Sequence, residues 1–228
     1  MTWFNTVTWN IYHKTDRDKV ASIIGNLRDQ KDVSVILGQE ATAPWIKDVF
    51  RNNGFNIFHY RPEYIVAWDP DTWILNDQWG ERLSPTGYWD IDRHSDCAIV
   101  ELTHRRTRQE GRFLSYHTPA HVQLQNPMEK PLKALKESAI SWRRLNKEFK
   151  GDFVCFGGDD NVDERRGIGH WPFLLKAATG LEQVQAPNPT FGKRRIDDFR
   201  IRGLNTGAGW TQDGGGDHKI HGRRFNFK

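Results

Sequence analysis

The sequence predicts an α/β fold: two packed mixed β-sheets flanked by helices, a four-layer sandwich. Three observations carry that expectation. Ten short runs rich in apolar, β-branched and aromatic residues have the length of strands and end at polar or Gly/Pro-containing turns. Two longer segments repeat apolar residues at helical spacing and stand before and after groups of those runs. No linker, internal repeat or low-complexity stretch divides the chain, so residues 1–228 read as one domain, and strands in this number need two helix-covered sheets to bury their faces.

In chain order, the first strand is expected at 3–10 and the first helix at 18–28, where Val20, Ile23, Ile24 and Leu27 share a face. Strands at 33–40, 55–60, 64–68, 73–82, 95–102 and 112–117 follow. The second helix, 132–149, carries a core stripe of Leu132, Leu135, Ala139, Trp142, Leu145 and Phe149 and turns Lys133, Lys136, Arg143, Arg144 and Lys147 to solvent. Strands at 152–157, 196–201 and 220–227 complete the layout.

A chain of 228 residues that is 37% hydrophobic closes a core without disulfides or a structural metal. Cys97 and Cys155 lie inside apolar runs, which predicts buried free thiols and a reducing compartment. The N-terminal residues lack a basic segment followed by an apolar one, and no run reaches membrane-spanning length. A cytoplasmic protein with no membrane partner is expected, and nothing demands more than a monomer. The net charge of +4 is a weak pointer to a polyanionic partner.

Short polar clusters stand where the strand-like runs begin or end: Thr8-Trp9-Asn10, Gln39-Glu40, His117-Thr118, Gly158-Asp159-Asp160-Asn161, Arg195-Ile196-Asp197 and Asp217-His218. In that order the chain resembles the endonuclease/exonuclease/phosphatase superfamily of metal-dependent phosphoesterases, from Asn10 to His218. The resemblance implies the deoxyribonuclease-I-like four-layer fold. Two positions depart from the pattern: Gly216 stands where a Ser usually precedes the terminal Asp-His, and Tyr12 where abasic-site enzymes carry Asp. Asn10, Glu40, His117 and Asp159 follow C-terminal strand ends, whereas Asp197 and Asp217-His218 precede N-terminal ones. If the second group of strands runs antiparallel to the first, all six clusters converge on one edge.

Phosphodiester hydrolysis adds negative charge to an already anionic centre, so cations and hydrogen-bond donors must surround it. Glu40 beside Asn10 offers hard oxygen donors for Mg²⁺ or Mn²⁺, and Asp217 is expected to complete the metal set. By the resemblance, Asp159 orients or deprotonates the attacking water and stays ionised, while Asn161 holds a phosphate oxygen and Asp160 points away. His218 is expected to pair with Asp197 as an imidazolium, and His117 to stabilise phosphate or protonate the leaving oxygen. Thr190, in a Pro-Thr-aromatic segment, is expected to donate to phosphate.

Arg93 with His94, Arg165 with Arg166, and Lys193, Arg194 and Arg195 are placed on the active edge, where they would hold flanking phosphates. Arg105, Arg106 and Arg108 fall in a turn at the opposite end, about 20 Å away at ~3.3 Å per strand residue. With Trp89, Trp171 and Trp210 as candidates for stacking on bases, the expected substrate is nucleic acid, DNA or else RNA. Two other readings stand beside it: a phosphatase or phosphodiesterase for a small phosphorylated molecule, and a nucleic-acid-binding module without catalysis. His170, His218 and His221 lack zinc-site spacing, and the Gly214-Gly215-Gly216 run lacks the Lys-Ser/Thr of a P-loop.

Overall fold

The computed structural model describes residues 2–12, 14–86, 95–118, 129–161 and 171–228, with backbone alone at 171–174. Its strands are β1 (Trp3–Asn10), β2 (Val33–Gln39), β3 (Asn56–Tyr60), β4 (Tyr64–Trp68), β5 (Trp73–Arg82), β6 (Asp96–His104), β7 (Glu110–His117), β8 (Phe153–Asp159), β9 (Glu182–Val184), β10 (Asp197–Arg202), β11 (Leu204–Asp213) and β12 (Lys219–Phe227). Its helices are α1 (Arg17–Asp29), α2 (Ile46–Asn52), α3 (Glu129–Glu148) and α4 (Trp171–Thr179).

One six-stranded sheet runs β11-β12-β1-β2-β4-β3 and the other β5-β6-β7-β8-β10-β9. Each is mixed through one central parallel pair, β1 with β2 and β7 with β8. The expected four-layer sandwich of two packed mixed sheets flanked by helices is the observed fold. Three apolar layers hold it together. Between the sheets, Phe4, Val35, Leu37, Trp73, Phe113, Phe153, Phe199 and Phe225 interlock, with Phe4 and Trp73 edge to face at 5.2 Å. Outside the first sheet, Val7, Trp9 and Ile36 pack under Val20, Ile24 and Leu27 of α1. Outside the second, Ile99, Leu114 and Phe156 pack under Leu135, Trp142 and Leu145 of α3.

Helix α1 starts where Asp16 accepts the N–H groups of Asp18 and Lys19, a side-chain cap for two otherwise unpaired donors. Four elements differ from the sequence expectation. Helix α2 is seven residues long, too short to display a periodic stripe. Helix α4 and the three-residue β9 are equally brief. Strand β11 contains Gly207 and Gly209 and exposes Asn205 and Thr206 at the end of its sheet, so it lacks an apolar alternation. Cys97 and Cys155 are buried free thiols. Among the described residues no helix is long and apolar enough to cross a membrane.

Candidate active site

Strand direction and the two-residue side-chain period together build the site. β1 and β2 end side by side at Asn10 and Gln39, and β7 and β8 at His117 and Asp159. β10 runs against β8 with Asp197 opposite Asp159, and β12 runs against β1, entering just after His218. All these ends therefore share one edge. Along β8, Phe153, Cys155 and Asp159 face the other sheet; along β7, Phe113, Ser115 and His117 do; along β10, Asp197, Phe199 and Ile201 do. The apolar members fill the core, and the polar members come last, at the rim.

Asp159 is the hub. Its Oδ2 lies 3.5 Å from Asn10 Nδ2 across the two sheets, 3.5 Å from His117 Nε2 and 3.7 Å from His218 Nε2. Its Oδ1 accepts the Asn161 N–H at 2.8 Å. Asn10 also donates to Glu40 Oε1 at 3.1 Å. The Asn161 amide donates to His117 Nε2 at 3.0 Å and to Thr118 O at 2.9 Å, leaving the His117 proton on Nδ1, which lies 3.8 Å from Glu40 Oε1. His218 Nδ1 donates to Asp197, 2.9 Å from Oδ2 and 3.1 Å from Oδ1.

Burial and the neighbouring Asp197 charge push the Asp159 carboxyl up to about 8, with His218 pulling the other way. The ionised state expected from sequence is thus opposed by burial and Asp197 and favoured by the His218 imidazolium 3.7 Å away. Burial opposes charge on His218, but the Asp197 carboxylate and its hydrogen bond outweigh it, with help from Asp159 and Asp217, and lift the imidazole to about 10. His221, fully buried three residues on, accepts no such help. Its Nδ1 meets the Asp197 backbone carbonyl at 3.0 Å, and burial holds its pKa down at about 3.

Three non-glycine residues at this edge hold left-handed backbone: Tyr12 (φ 57°), Glu40 (φ 51°) and Asn161 (φ 48°). Each such residue costs on the order of 1–3 kcal/mol, and here all three flank the ends of strands that deliver site residues. A buried polar floor braces them from below. Gln39 Nε2 donates to Ser115 Oγ at 3.0 Å, and Ser115 Oγ donates to Gly38 O at 2.7 Å, tying the sheets together beneath the site.

The opposite face of β8 carries a second ionic group. Asp160 turns toward α3, as expected, where Tyr116 OH donates to its Oδ1 at 2.6 Å and Arg200 donates to its Oδ2. Arg200 lies 5.5 Å above the Trp142 ring, and its Nε and Nη1 have no hydrogen-bond partner among the described residues. Asp198, beside it, accepts from Gln183 Nε2 and Ala186 N–H. Burial and the Asp160 charge push Asp198 well up.

Comparison with solved structures matches the fold over the whole chain. An endonuclease/exonuclease/phosphatase family protein from Bacteroides thetaiotaomicron superposes with TM-score 0.79 at 16% identity, covering 100% of this chain and 98% of that one. The fold is that of the endonuclease/exonuclease/phosphatase proteins. A mannosyl-6-phosphatase from the same organism, with the same fold, gives 0.76 at 15% identity, covering 98% and 100%. D. rerio TDP2 complexed with a single-strand DNA product gives 0.75 at 11%, covering 99% and 100%. No protein-family model and no curated protein matches the sequence.

Within that endonuclease/exonuclease/phosphatase-type frame, Asn10, Glu40, His117, Asp159, Asn161, Asp197 and His218 come together through the contacts above. Asp217 is exposed beside His218, and its carboxylate makes no hydrogen bond or ion pair among the described residues. Donor atoms of Asp159, Asp197 and His218 lie within 4.8 Å of one another, a spacing a metal could use. Both Asp197 oxygens face the His218 N–H, however, and the imidazole is cationic, so that trio reads as a charge pair beside a carboxyl. The remaining oxygen donors at this edge are the Glu40 carboxylate, hydrogen-bonded to the Asn10 amide, and the exposed Asp217 carboxylate, hard groups of the kind divalent cations take.

Thr190 is buried beneath the edge, and its hydroxyl oxygen accepts the N–H groups of Ile196 and Asp197 at 3.2 Å, which fixes the start of β10. Lys193 is exposed, and Arg194 lies 4.7 Å above the Phe191 ring, itself 4.7 Å from the His218 ring. Arg195 turns back and donates to Pro187 O at 2.7 Å. Trp210 packs over Gly222 on β12, half-buried rather than offered for stacking. Arg105 and Arg106 line a cavity with the N-terminal residues of β1, far from Asp159. Arg93, His94, Trp89, Arg165, Arg166 and His170 lie outside the described residues, as does the Trp171 side chain. Sequence reasoning missed Gln39, Ser115, Tyr116 and Arg200 as supports, and His221 only entered it as a zinc candidate.

Proposed function

We propose that residues 1–228 form a catalytic domain that hydrolyses phosphodiester bonds in nucleic acid, DNA or RNA, with Mg²⁺ or Mn²⁺ as cofactor. One observation carries the reading: a single oxygen of Asp159 lies within 3.7 Å of two imidazoles and an amide, beside Glu40, at the open edge between the sheets. Asp159 takes the proton of the attacking water, a task suited to a carboxyl whose pKa has been brought near neutrality. Asn161, held by Thr118 O, keeps His117 and the phosphate in register. His218, maintained as imidazolium by Asp197, balances charge developing on the phosphorus oxygens, and His117 serves the leaving oxygen. Glu40, Asn10 and Asp217 would hold the dication, which supplies Lewis-acid stabilisation of the phosphoryl oxygens.

The reading is supported by the shared fold, whose members include an enzyme with a single-strand DNA product bound, and by Lys193 and Arg194 at the rim. The test is cleavage of supercoiled plasmid and of labelled single-stranded DNA and RNA in Mg²⁺, Mn²⁺ or EDTA, with Glu40→Ala as control. Metal-dependent cutting that vanishes in the control is expected. Intact nucleic acid, together with metal-dependent hydrolysis of a small phosphorylated molecule, would move the substrate to the class of the mannosyl-6-phosphatase that shares the fold.

A further inference from the structure

Three of the cavities on the described surface differ in charge. The one at the far end, about 240 Å³, sets Asp32 and Asp71 against Arg105 and Arg106. The one against α1, about 450 Å³, sets Asp213 beside Lys19. The third, about 430 Å³, is walled by Thr42, Pro44, Lys47, His59, Arg61 and Pro62, with no carboxylate among its walls.

This third cavity adjoins Glu40. The chain turns at once after Glu40, with Thr42 N–H donating to Glu40 O at 2.9 Å and Ala41 N–H to Glu63 O at 3.3 Å, which lays Thr42 to Pro44 against the β3–β4 turn. Thr42 is two residues beyond Glu40, at most about 7 Å of chain. A strand whose charges recur every ~3.4 Å of helix axis, and are also displaced around it, sets its neighbouring phosphate on that scale.

Its positive charge is held in place and only partly offset. Arg61 Nη1 lies 2.7 Å from Asp96 Oδ2, and Arg82 Nε lies 3.6 Å from Asp96 Oδ1, so two guanidinium groups share one nearly buried carboxylate. The Arg61 side chain keeps 41% of its surface exposed. Lys47 is exposed on α2 and makes no ion pair among the described residues. His59 is driven toward the neutral form by burial and by Lys47. Its Nε2 is buried without a hydrogen-bond partner among the described residues, an atom that an oxyanion would satisfy once the ring takes up a proton.

We propose that this cavity binds a second phosphate group of the substrate, the one flanking the scissile phosphodiester in a nucleic-acid strand, and thereby selects a polyanionic chain over a small phosphorylated molecule. The proposal rests on the nuclease reading above. Lys47 is the residue to test, because Arg61 also bridges the sheets through Asp96 and its loss would disturb the fold.

The experiment measures equilibrium binding of a short fluorescent DNA strand in EDTA across a salt series, for the wild type, Lys47→Ala, Lys47→Glu and the control Lys136→Glu on the outer face of α3. Lys47→Glu is expected to weaken binding about tenfold or more, and Lys47→Ala to reduce the slope of log affinity against log salt by about one. In Mn²⁺, kcat/KM of Lys47→Glu should fall at least about tenfold further for the strand than for bis(p-nitrophenyl) phosphate, while Lys136→Glu changes neither. Unchanged affinity and slope in both Lys47 variants would overturn the proposal. If the wild type neither binds nor cuts nucleic acid, titration with inorganic phosphate and pyrophosphate, followed by amide NMR, separates the two readings. Shifts at Thr42 and Lys47 that the Lys47→Glu protein loses would retain the second-phosphate site and discard the nuclease. No shift there would discard both.

Discussion

Asp159 and Asp160 are adjacent, both buried and both carboxylic, yet the two faces of β8 treat them differently. Asp160 is saturated: one oxygen takes the Tyr116 hydroxyl and the other a guanidinium, while its backbone N–H donates to Ile196 O. Asp159 has one short hydrogen bond, from Asn161, and three loose neighbours at 3.5–3.7 Å. A saturated carboxylate has nothing left to exchange with a substrate. The loosely held one keeps acceptor capacity that its neighbours do not fill, and burial beside Asp197 disfavours its charge.

Replacing each aspartate separates the two roles. Asp159→Asn should lower kcat on the cleaved substrate by about 10²–10⁴-fold, the usual share of a general base. Thermal melting should show no loss of stability, since a desolvated acid leaves the core; a lower Tm would make Asp159 a structural residue. On the reverse face the order inverts. Arg200→Met strands Asp160 without its cation and should cost about 3–5 kcal/mol in urea unfolding, most of it restored in the Asp160→Asn/Arg200→Met double variant. Additive losses would show that the two do not act as a pair.

His218, just before β12, and His221 within it extend the contrast to pH. His218 has a folded pKa near 10 against an ordinary 6.5, so its pairing with Asp197 stabilises fully below about pH 6.5 and is lost as pH rises through 10. His221, held near 3, acts at the other end: stability falls as pH drops below 6.5, where only the unfolded chain takes up the proton. In EDTA, His218→Gln should flatten the alkaline limb of a stability-versus-pH curve and leave the acid limb alone. An alkaline limb that survives the substitution would place its origin elsewhere.

The smallest effect expected is at the rim. Lys193→Ala with Arg194→Ala should raise KM for long substrates a few-fold, with no change for a minimal diester. Arg195→Ala, which breaks the bond to Pro187 O, should instead lower Tm. The reverse pattern would exchange their roles.

The site was legible because its chemistry sits where strand signals stop: Asn10, His117 and Asp159 end strands whose apolar alternation is plain in the sequence. The supports were not. Ser115 continues the face of Phe113 and His117, and Gln39 that of Val35 and Leu37, so the two-residue period could have flagged them as inward-facing polar groups. Nothing in Phe-Arg-Ile-Arg marks Arg200 as a buried partner, because only knowledge of what covers β10 shows that its face is enclosed. Likewise β11 offers Gly, Thr and Asn instead of an apolar stripe, and its strand conformation comes from pairing with β12.

The bonds that cross the sandwich, Asn10 to Asp159 and Gln39 to Ser115, have a thermodynamic corollary. Neither sheet owns the candidate site's edge, so anything that grips it grips both. Occupancy should act as a rivet: a bound ion or strand lowers the opening probability of β1 and β8 together, and amide exchange in the two sheets should slow in step.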